Sequence, residues 1–261
     1  MTLPADTAVG PPTLTLDGPV ATVRLRRPSQ RNSLHDEDLH VLRAHFQRID
    51  ADASVRVMVL AADTAGQPRP VFSAGYHVGG FERGEHGPHL FESVPEAIEA
   101  MRPVTICALS GSVYGGATDL VLACDLRVAR AGSEWRMPAA ALGLHYYPSG
   151  LRRYVTRLGL ARAQRTFLTA RALPVEAYAD CFVEIADAAR FDAAVQELAR
   201  DAAALAPLAA QATKRSLVEI AAGDWDEARL RERVDLTQRS ADFAEGRAAM
   251  TQRRAPDFRG R

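Results

Sequence analysis

Two stretches of this chain, "VRVMVLAA" and "PVTICALSGS", are mainly apolar without regular polar alternation, and "DLRVAR" repeats that character around its charged residues. A strand with one wet face alternates, whereas a continuous β-branched run suits a strand covered on both faces. Covered faces require helices, and helical patterns lie between the runs as "SVPEAIEAMR" and "GATDLVLAC". The sequence therefore predicts strand-helix units joined by right-handed crossovers up to Gly150. Ahead of them, "TLTLDGPVATVRLRR" reads as a hairpin turning at Asp17-Gly18. "HDEDLHVLRAHFQRIDAD" follows, with Leu39, Leu42, Phe46 and Ile49 at helical spacing and Asp36 near the helix N-terminus.

From Ser149 onward no strand is predicted. "GLRRYVTRLG", "LARAQRTFLTA", "FDAAVQELARDAAAL", "PLAAQATKRSLVEIAA" and "DEARLRERVDLTQRSADFAEGRAAMTQRR" space their apolar residues by three or four, and "RALPVEAYADCFVEIAD" reads as a joint between core and helices. The fold class expected is α/β, with a helical C-terminal region.

Composition narrows the function. A chain of 261 residues, 47% hydrophobic, can bury a sizeable core. Its 32 basic residues balance 32 acidic ones, so no net field would hold it on nucleic acid or an acidic membrane. The N-terminus lacks the basic start and apolar run of a signal peptide, and no segment reaches about 18 unbroken apolar residues, which leads to the expectation of a cytoplasmic protein. Cys107, Cys124 and Cys181 are few and widely spaced, as packed reduced thiols would be.

Two glycine turns carry the functional signal. "VFSAGYHVGG" places Ala74 and Gly75 where a backbone can pass close to a ligand. "GSVYGGATDL" runs a strand through Tyr114, Gly115 and Gly116 into a helix, whose first N–H groups lack intrahelical partners and suit an anion. Amides from both turns aimed at one point would stabilise a thioester enolate, at about 3 kcal/mol per donor. Read separately, each turn is equally a tight bend with close packing.

In combination, "RRPSQRNSL", "VFSAGYHV", "GSVYGGATDLVLACDLRVA", "MPAAALGL" and "DFAEGRAAMTQRRAPDF" resemble the crotonase family, the enoyl-CoA hydratase/isomerase superfamily, in order and across nearly the whole chain. The resemblance implies a crotonase-like spiral of ββα units over residues 1–200 and a helical trimerisation region over 201–261, assembled as a homotrimer or a dimer of trimers. It implies an acyl-CoA or acyl-carrier thioester as substrate, coenzyme A entering as part of that substrate and no separate cofactor. The oxyanion donors would be the N–H groups of Tyr76 and Gly116. Arg31, Ala74, Gly75, His77, Val78, Tyr114, Gly115, Pro138 and Leu142 would line the thioester and coenzyme A path, with Arg31 or Arg27 taking over phosphate contact, because the family's basic residue before its Asn-Ala-Leu motif is blurred here, where Ser29, Gln30 and Arg31 precede Asn32. Lys214 and the Arg253-Arg254 pair would lie near coenzyme A phosphates, or on a solvated helix face.

The family's hydratases use two glutamates. Here the corresponding positions are Asp119 and Ala139, so one carboxylate is shortened and the other is absent. General acid/base catalysis needs a titratable group within hydrogen-bond reach, which Ala139 cannot supply. The Leu-Gly-x-x-Tyr spacing that ends at Tyr146 resembles the methylmalonyl-CoA decarboxylases, where the tyrosine holds the departing carboxylate. Two departures stand out: those enzymes carry histidine where this chain has Tyr76, and the family usually carries aspartate at His77. Asp119 alone, or His145, would serve a hydratase or isomerase, and a non-catalytic acyl-CoA binder is the third reading. Tyr147 reads as aromatic packing, Asp125 as a strand-start stabiliser, and His77, His86 and His89 lack ligand spacing for a metal.

Overall fold

The computed structural model describes residues 9–77 and 88–261. The predicted hairpin forms as β1 (Gly10–Asp17) and β2 (Val20–Arg26), antiparallel, with Gly18 in the left-handed region at φ 55°. Helix α1 (Asp36–Ala51) buries Leu39, Leu42, Phe46 and Ile49, the stripe read from the sequence. His35 and Asp38 cap it reciprocally.

A repeat then sets in: one strand for a large sheet, one for a small sheet, then a helix. Strands β3 (Val57–Ala62) and β4 (Val71–Ser73) precede α2 (Pro88–Ala100), and β5 (Val104–Leu109) and β6 (Ser112–Tyr114) precede α3 (Ala117–Ala123). Strands β7 (Leu126–Arg130) and β8 (Glu134–Arg136) lead into α4 (Pro148–Leu158) and α5 (Leu160–Thr169). In the large sheet β2, β3, β5 and β7 are parallel neighbours, and in the small one β4, β6 and β8 are. This is the ββα spiral.

The continuous apolar runs have a structural reason. Met58, Leu60, Ala62, Cys107 and Leu109 pack into the core on one face of the large sheet. Val57, Val59, Ala61, Ile106 and Ala108 pack on the other, against Phe191, Ala194 and Ala199 of α6 (Phe191–Ala203). Alternate residues are thus covered by different layers, which is why both sets are mainly apolar. The three cysteines are buried free thiols.

Strands do not vanish after Ser149. β9 (Leu173–Pro174) pairs antiparallel with β8, and β10 (Glu184–Ala186) adds a parallel edge to β7, both from the segment read as a joint. They are too short to show a period of two, and only Ala186 among the five residues is buried. The last predicted helix is two, α8 (Glu227–Gln238) and α9 (Ala241–Gln252). Ser240 breaks it by capping α9, its Oγ accepting from the Phe243 N–H at 3.0 Å.

Helix α7 (Pro207–Ala222) ties this region to the core through Lys214, whose buried Nζ lies 2.7 Å from Asp125 Oδ2 and donates to Pro103 O at 2.8 Å. The chain end folds back: Asp242 accepts from the N–H groups of Arg259 and Gly260, and Arg56 donates to Phe258 O at 2.6 Å. No helix among the described residues is long and apolar enough to cross a membrane.

Candidate active site

The first glycine turn is clamped by the segment before α1. Ala74 N–H donates to Arg31 O, Leu34 N–H to Gly75 O and His77 N–H to Leu34 O, each at 2.8–2.9 Å. Asn32, buried at φ 49°, donates from Nδ2 to Asp63 O at 2.8 Å, while Ser73 Oγ donates to Asn32 O at 2.7 Å and accepts from Gly75 N–H at 3.1 Å. The "QRNSL" stretch is thus the brace that fixes the path of Ala74–Tyr76.

The second turn meets the first backbone to backbone. A Cβ on Gly75 would stand 2.7 Å from Tyr114 O and 3.2 Å from Gly116 N, so only glycine, here at φ 91°, allows the approach. Gly115 takes φ 57° and anchors to Arg136 O at 2.9 Å, and Gly116 caps α3. A Cβ on Gly116 would lie 2.5 Å from Phe91 Cζ, so the Phe91 ring of α2 covers that residue. Tyr76 and Tyr147 flank the same ring at centroid distances of 5.7 and 6.3 Å.

The Tyr76 hydroxyl is not available to a ligand in this arrangement. It donates to Asp36 Oδ1 at 2.5 Å, and burial together with that carboxylate pushes the phenol up to about 12. Its neighbour His77 is exposed and stacks on His35 at 5.0 Å. Tyr114 is half-buried and donates to Glu134 Oε2 at 3.0 Å, and the Arg31 side chain is exposed.

The wall after β8 opens with half-buried Pro138 and buried Ala139, then runs through Leu142 at 65% exposure to exposed His145. Asp119 departs from its reading as a free acid or base. It has no exposed surface, and Arg153 of α4 grips both its oxygens, Nε to Oδ1 at 2.9 Å and Nη2 to Oδ2 at 2.7 Å. Arg153 also donates to Glu99 at 3.2 Å, and Arg152 pairs with the same glutamate. An isolated buried carboxylate would be very costly, which is why the pairing is complete.

Tyr147, read as packing, carries the polar contact instead. Its hydroxyl donates to Asp119 Oδ2 at 2.5 Å and accepts from Tyr146 at 3.0 Å. Tyr147 is half-buried, whereas Tyr146 is 6% exposed and packs on Tyr154 and Phe167. Burial first, and then Asp119, raises both phenols, so both stay protonated. The missed signal was Arg153 itself, an arginine beside Tyr154 on the helix face that buries Gly150 and Leu158.

Lys214 is buried rather than on a solvated helix face and pairs with Asp125, which sits just before β7 and also accepts from Thr105 at the start of β5. Arg254 pairs with Glu245. Val78 and His86 lie outside the described residues, and His89 is exposed with Glu92 3.7 Å away. Among the described residues no group of three metal-ligating side chains comes together.

The sequence profile of enoyl-CoA hydratase/isomerase matches residues 16–261. The chain belongs to the enoyl-CoA hydratase/isomerase family. It is similar to a probable enoyl-CoA hydratase of Mycobacterium leprae, 29% identical over 92% of this chain and 96% of that one. It is also similar to the 2,3-dehydroadipyl-CoA hydratase of Escherichia coli, 26% identical over 93% and 96% of the two chains. Among solved structures, an enoyl-CoA hydratase/carnithine racemase of Magnetospirillum magneticum superposes with a TM-score of 0.86 at 25% identity, covering 97% of each chain.

Proposed function

We propose that this family member acts on an acyl-CoA thioester whose carbonyl oxygen, turning negative, is held by the N–H groups of Tyr76 and Gly116. The supporting observation is the close approach of the two turns, in which a Cβ built on Gly75 would stand 2.7 Å from Tyr114 O and 3.2 Å from Gly116 N. Such donors are worth about 3 kcal/mol each toward a developing oxyanion. Lining by Ala74, Gly75, Gly115, Pro138 and Leu142 accords with a thioester lying across the junction.

The reaction proposed is decarboxylation of a malonyl- or methylmalonyl-type thioester. It rests on one feature: Asp119 is fully paired and position 139 is alanine, so neither place that would hold a hydratase carboxylate offers a base. Decarboxylation needs none. The bond to the carboxylate carbon breaks, its electron pair passes to the thioester oxygen as carbon dioxide leaves, and the α-carbon later takes a proton from water. A carboxylate pressed against the aromatic wall loses solvation that the charge-dispersed transition state needs less.

A second reading, hydration or double-bond isomerisation of an enoyl thioester, draws on the names of the relatives and on the Tyr147–Asp119 contact. Methylmalonyl-CoA, crotonyl-CoA and a 3-enoyl-CoA assayed side by side separate the readings. Release of carbon dioxide and propionyl-CoA supports the first. Turnover of an enoyl thioester alone transfers the assignment to the second, and tight binding without turnover of any makes the protein an acyl-CoA binder.

Assembly as a trimer or dimer of trimers belongs to the same proposal. Leu217, Ile220, Val234, Leu236, Phe243 and Met250 of the last three helices are exposed on the single chain, an apolar display suited to burial between copies.

A further inference from the structure

Two adjacent tyrosines on the site wall have unlike surroundings, and the difference assigns them different work. Tyr146 is enclosed by Tyr154 and Phe167. Tyr147 is half-buried with its ring 6.3 Å from that of Phe91, the ring packed over Gly116. We propose that Tyr147 is the polar group this site offers to the acyl moiety, and that Arg153 is a positioning residue acting on it through Asp119. The inference rests on the reading that the thioester lies at the junction of the turns.

Asp119 itself has no exposed area and both its oxygens are held, so any influence it has on a ligand passes through its Tyr147 contact. The Tyr147 phenol, kept protonated by burial and by Asp119, is a hydrogen-bonding group and not a base. Its hydrogen has two destinations: Asp119, as here, or an acyl oxygen beside the α-carbon. Arg153 makes the exchange affordable, because its forked contacts keep Asp119 satisfied when the hydroxyl turns away. A free aspartate at that position would hold the hydrogen or be left bare.

The same helix builds the platform. A Cβ on Gly150 would stand 2.4 Å from Tyr146 Cε1 and 2.8 Å from Tyr147 Cε2, so glycine there lets both rings lie against α4 one turn before Arg153. Anchor and ring are therefore set by one rigid element. The ligand class that fits is an acyl thioester with a second oxygen function next to the α-carbon, such as a malonyl half-thioester.

The test measures kcat and KM with methylmalonyl-CoA, and calorimetric affinity for malonyl-CoA and for coenzyme A alone, in Tyr147→Phe, Tyr146→Phe, Arg153→Lys and the Tyr147→Phe/Arg153→Lys double variant. Tyr147→Phe is expected to weaken malonyl-CoA binding or kcat/KM by about tenfold while affinity for coenzyme A stays, the scale of one lost hydrogen bond. Tyr146→Phe should cost less. Arg153→Lys should cost turnover in the wild-type background and nothing further beside Tyr147→Phe, a non-additivity that a merely structural arginine would not show. Wild-type values for Tyr147→Phe, a larger loss in Tyr146→Phe, or an Arg153→Lys penalty equal in both backgrounds would overturn the proposal. Should the unmodified protein fail to release carbon dioxide, the reaction assigned above falls, and the malonyl-CoA binding arm still decides the role of Tyr147.

Discussion

Arg153 and Asp119 face each other as a forked ion pair with neither side chain exposed, Nη2 to Oδ2 at 2.7 Å and Nε to Oδ1 at 2.9 Å. With both its oxygens held by Arg153 and no exposed surface, the Asp119 carboxylate serves as scaffold for the wall. The behaviour of the wall follows from it.

Removing one partner should cost more than removing both. Arg153→Met strands a buried carboxylate and is expected to destabilise the fold by about 3–5 kcal/mol, whereas Asp119→Leu/Arg153→Met should recover most of that loss. Urea midpoints of the two variants decide it; equal midpoints would show that the pair is not coupled.

Gly75→Ala should damage the junction of the turns. Its Cβ would meet the Tyr114 carbonyl at 2.7 Å in a backbone held at φ 91°, so a stability loss of about 1–3 kcal/mol is expected. A larger relative loss in thioester affinity than in coenzyme A affinity, measured calorimetrically, would follow from displacement of Gly116.

Lys214→Met should weaken the fold without touching the ligand. Nζ is engaged with Asp125 and Pro103 O, so a loss of about 3 kcal/mol in unfolding free energy is expected, with coenzyme A affinity unchanged. A stable variant with weakened coenzyme A binding would restore the phosphate-contact reading.

Alkali should unfold the protein through its tyrosines. All six phenols are raised above their ordinary value of 10.0, burial being the first cause in each, and Tyr76 is pushed up to about 12. Above pH 10 the unfolded chain releases protons that the folded one keeps, so stability is complete below pH 10 and falls as pH rises toward about 12. The phenolate absorbance should therefore appear together with loss of helical circular dichroism. Phenolate forming near its ordinary midpoint in a still-folded protein would contradict the burial of these rings.

The local sequence determined the repeating units. Mainly apolar runs announced β3 and β5 because each is covered on both faces, the hairpin followed from Asp17-Gly18, and the helical stripe of α1 fell on Leu39, Leu42, Phe46 and Ile49. The two glycine turns were legible too, since glycine at a left-handed φ or under a close contact is a local demand written at one position. Short strands such as β10 were not, because three residues carry no period.

Only the tertiary structure decided what the wall residues do. Asp119 looked like a shortened catalytic carboxylate and Tyr147 like packing, yet an arginine 34 positions along the chain binds the first and thereby gives the second its hydrogen-bond partner. Lys214 read as a phosphate contact or a solvated charge, and the fold buries it with Asp125 2.7 Å from its Nζ. The physical reason is common to these cases: a charge is free or spent according to which opposite charge shares its low-dielectric surroundings, and that neighbour is chosen by the packing of helices, not by adjacency in the chain.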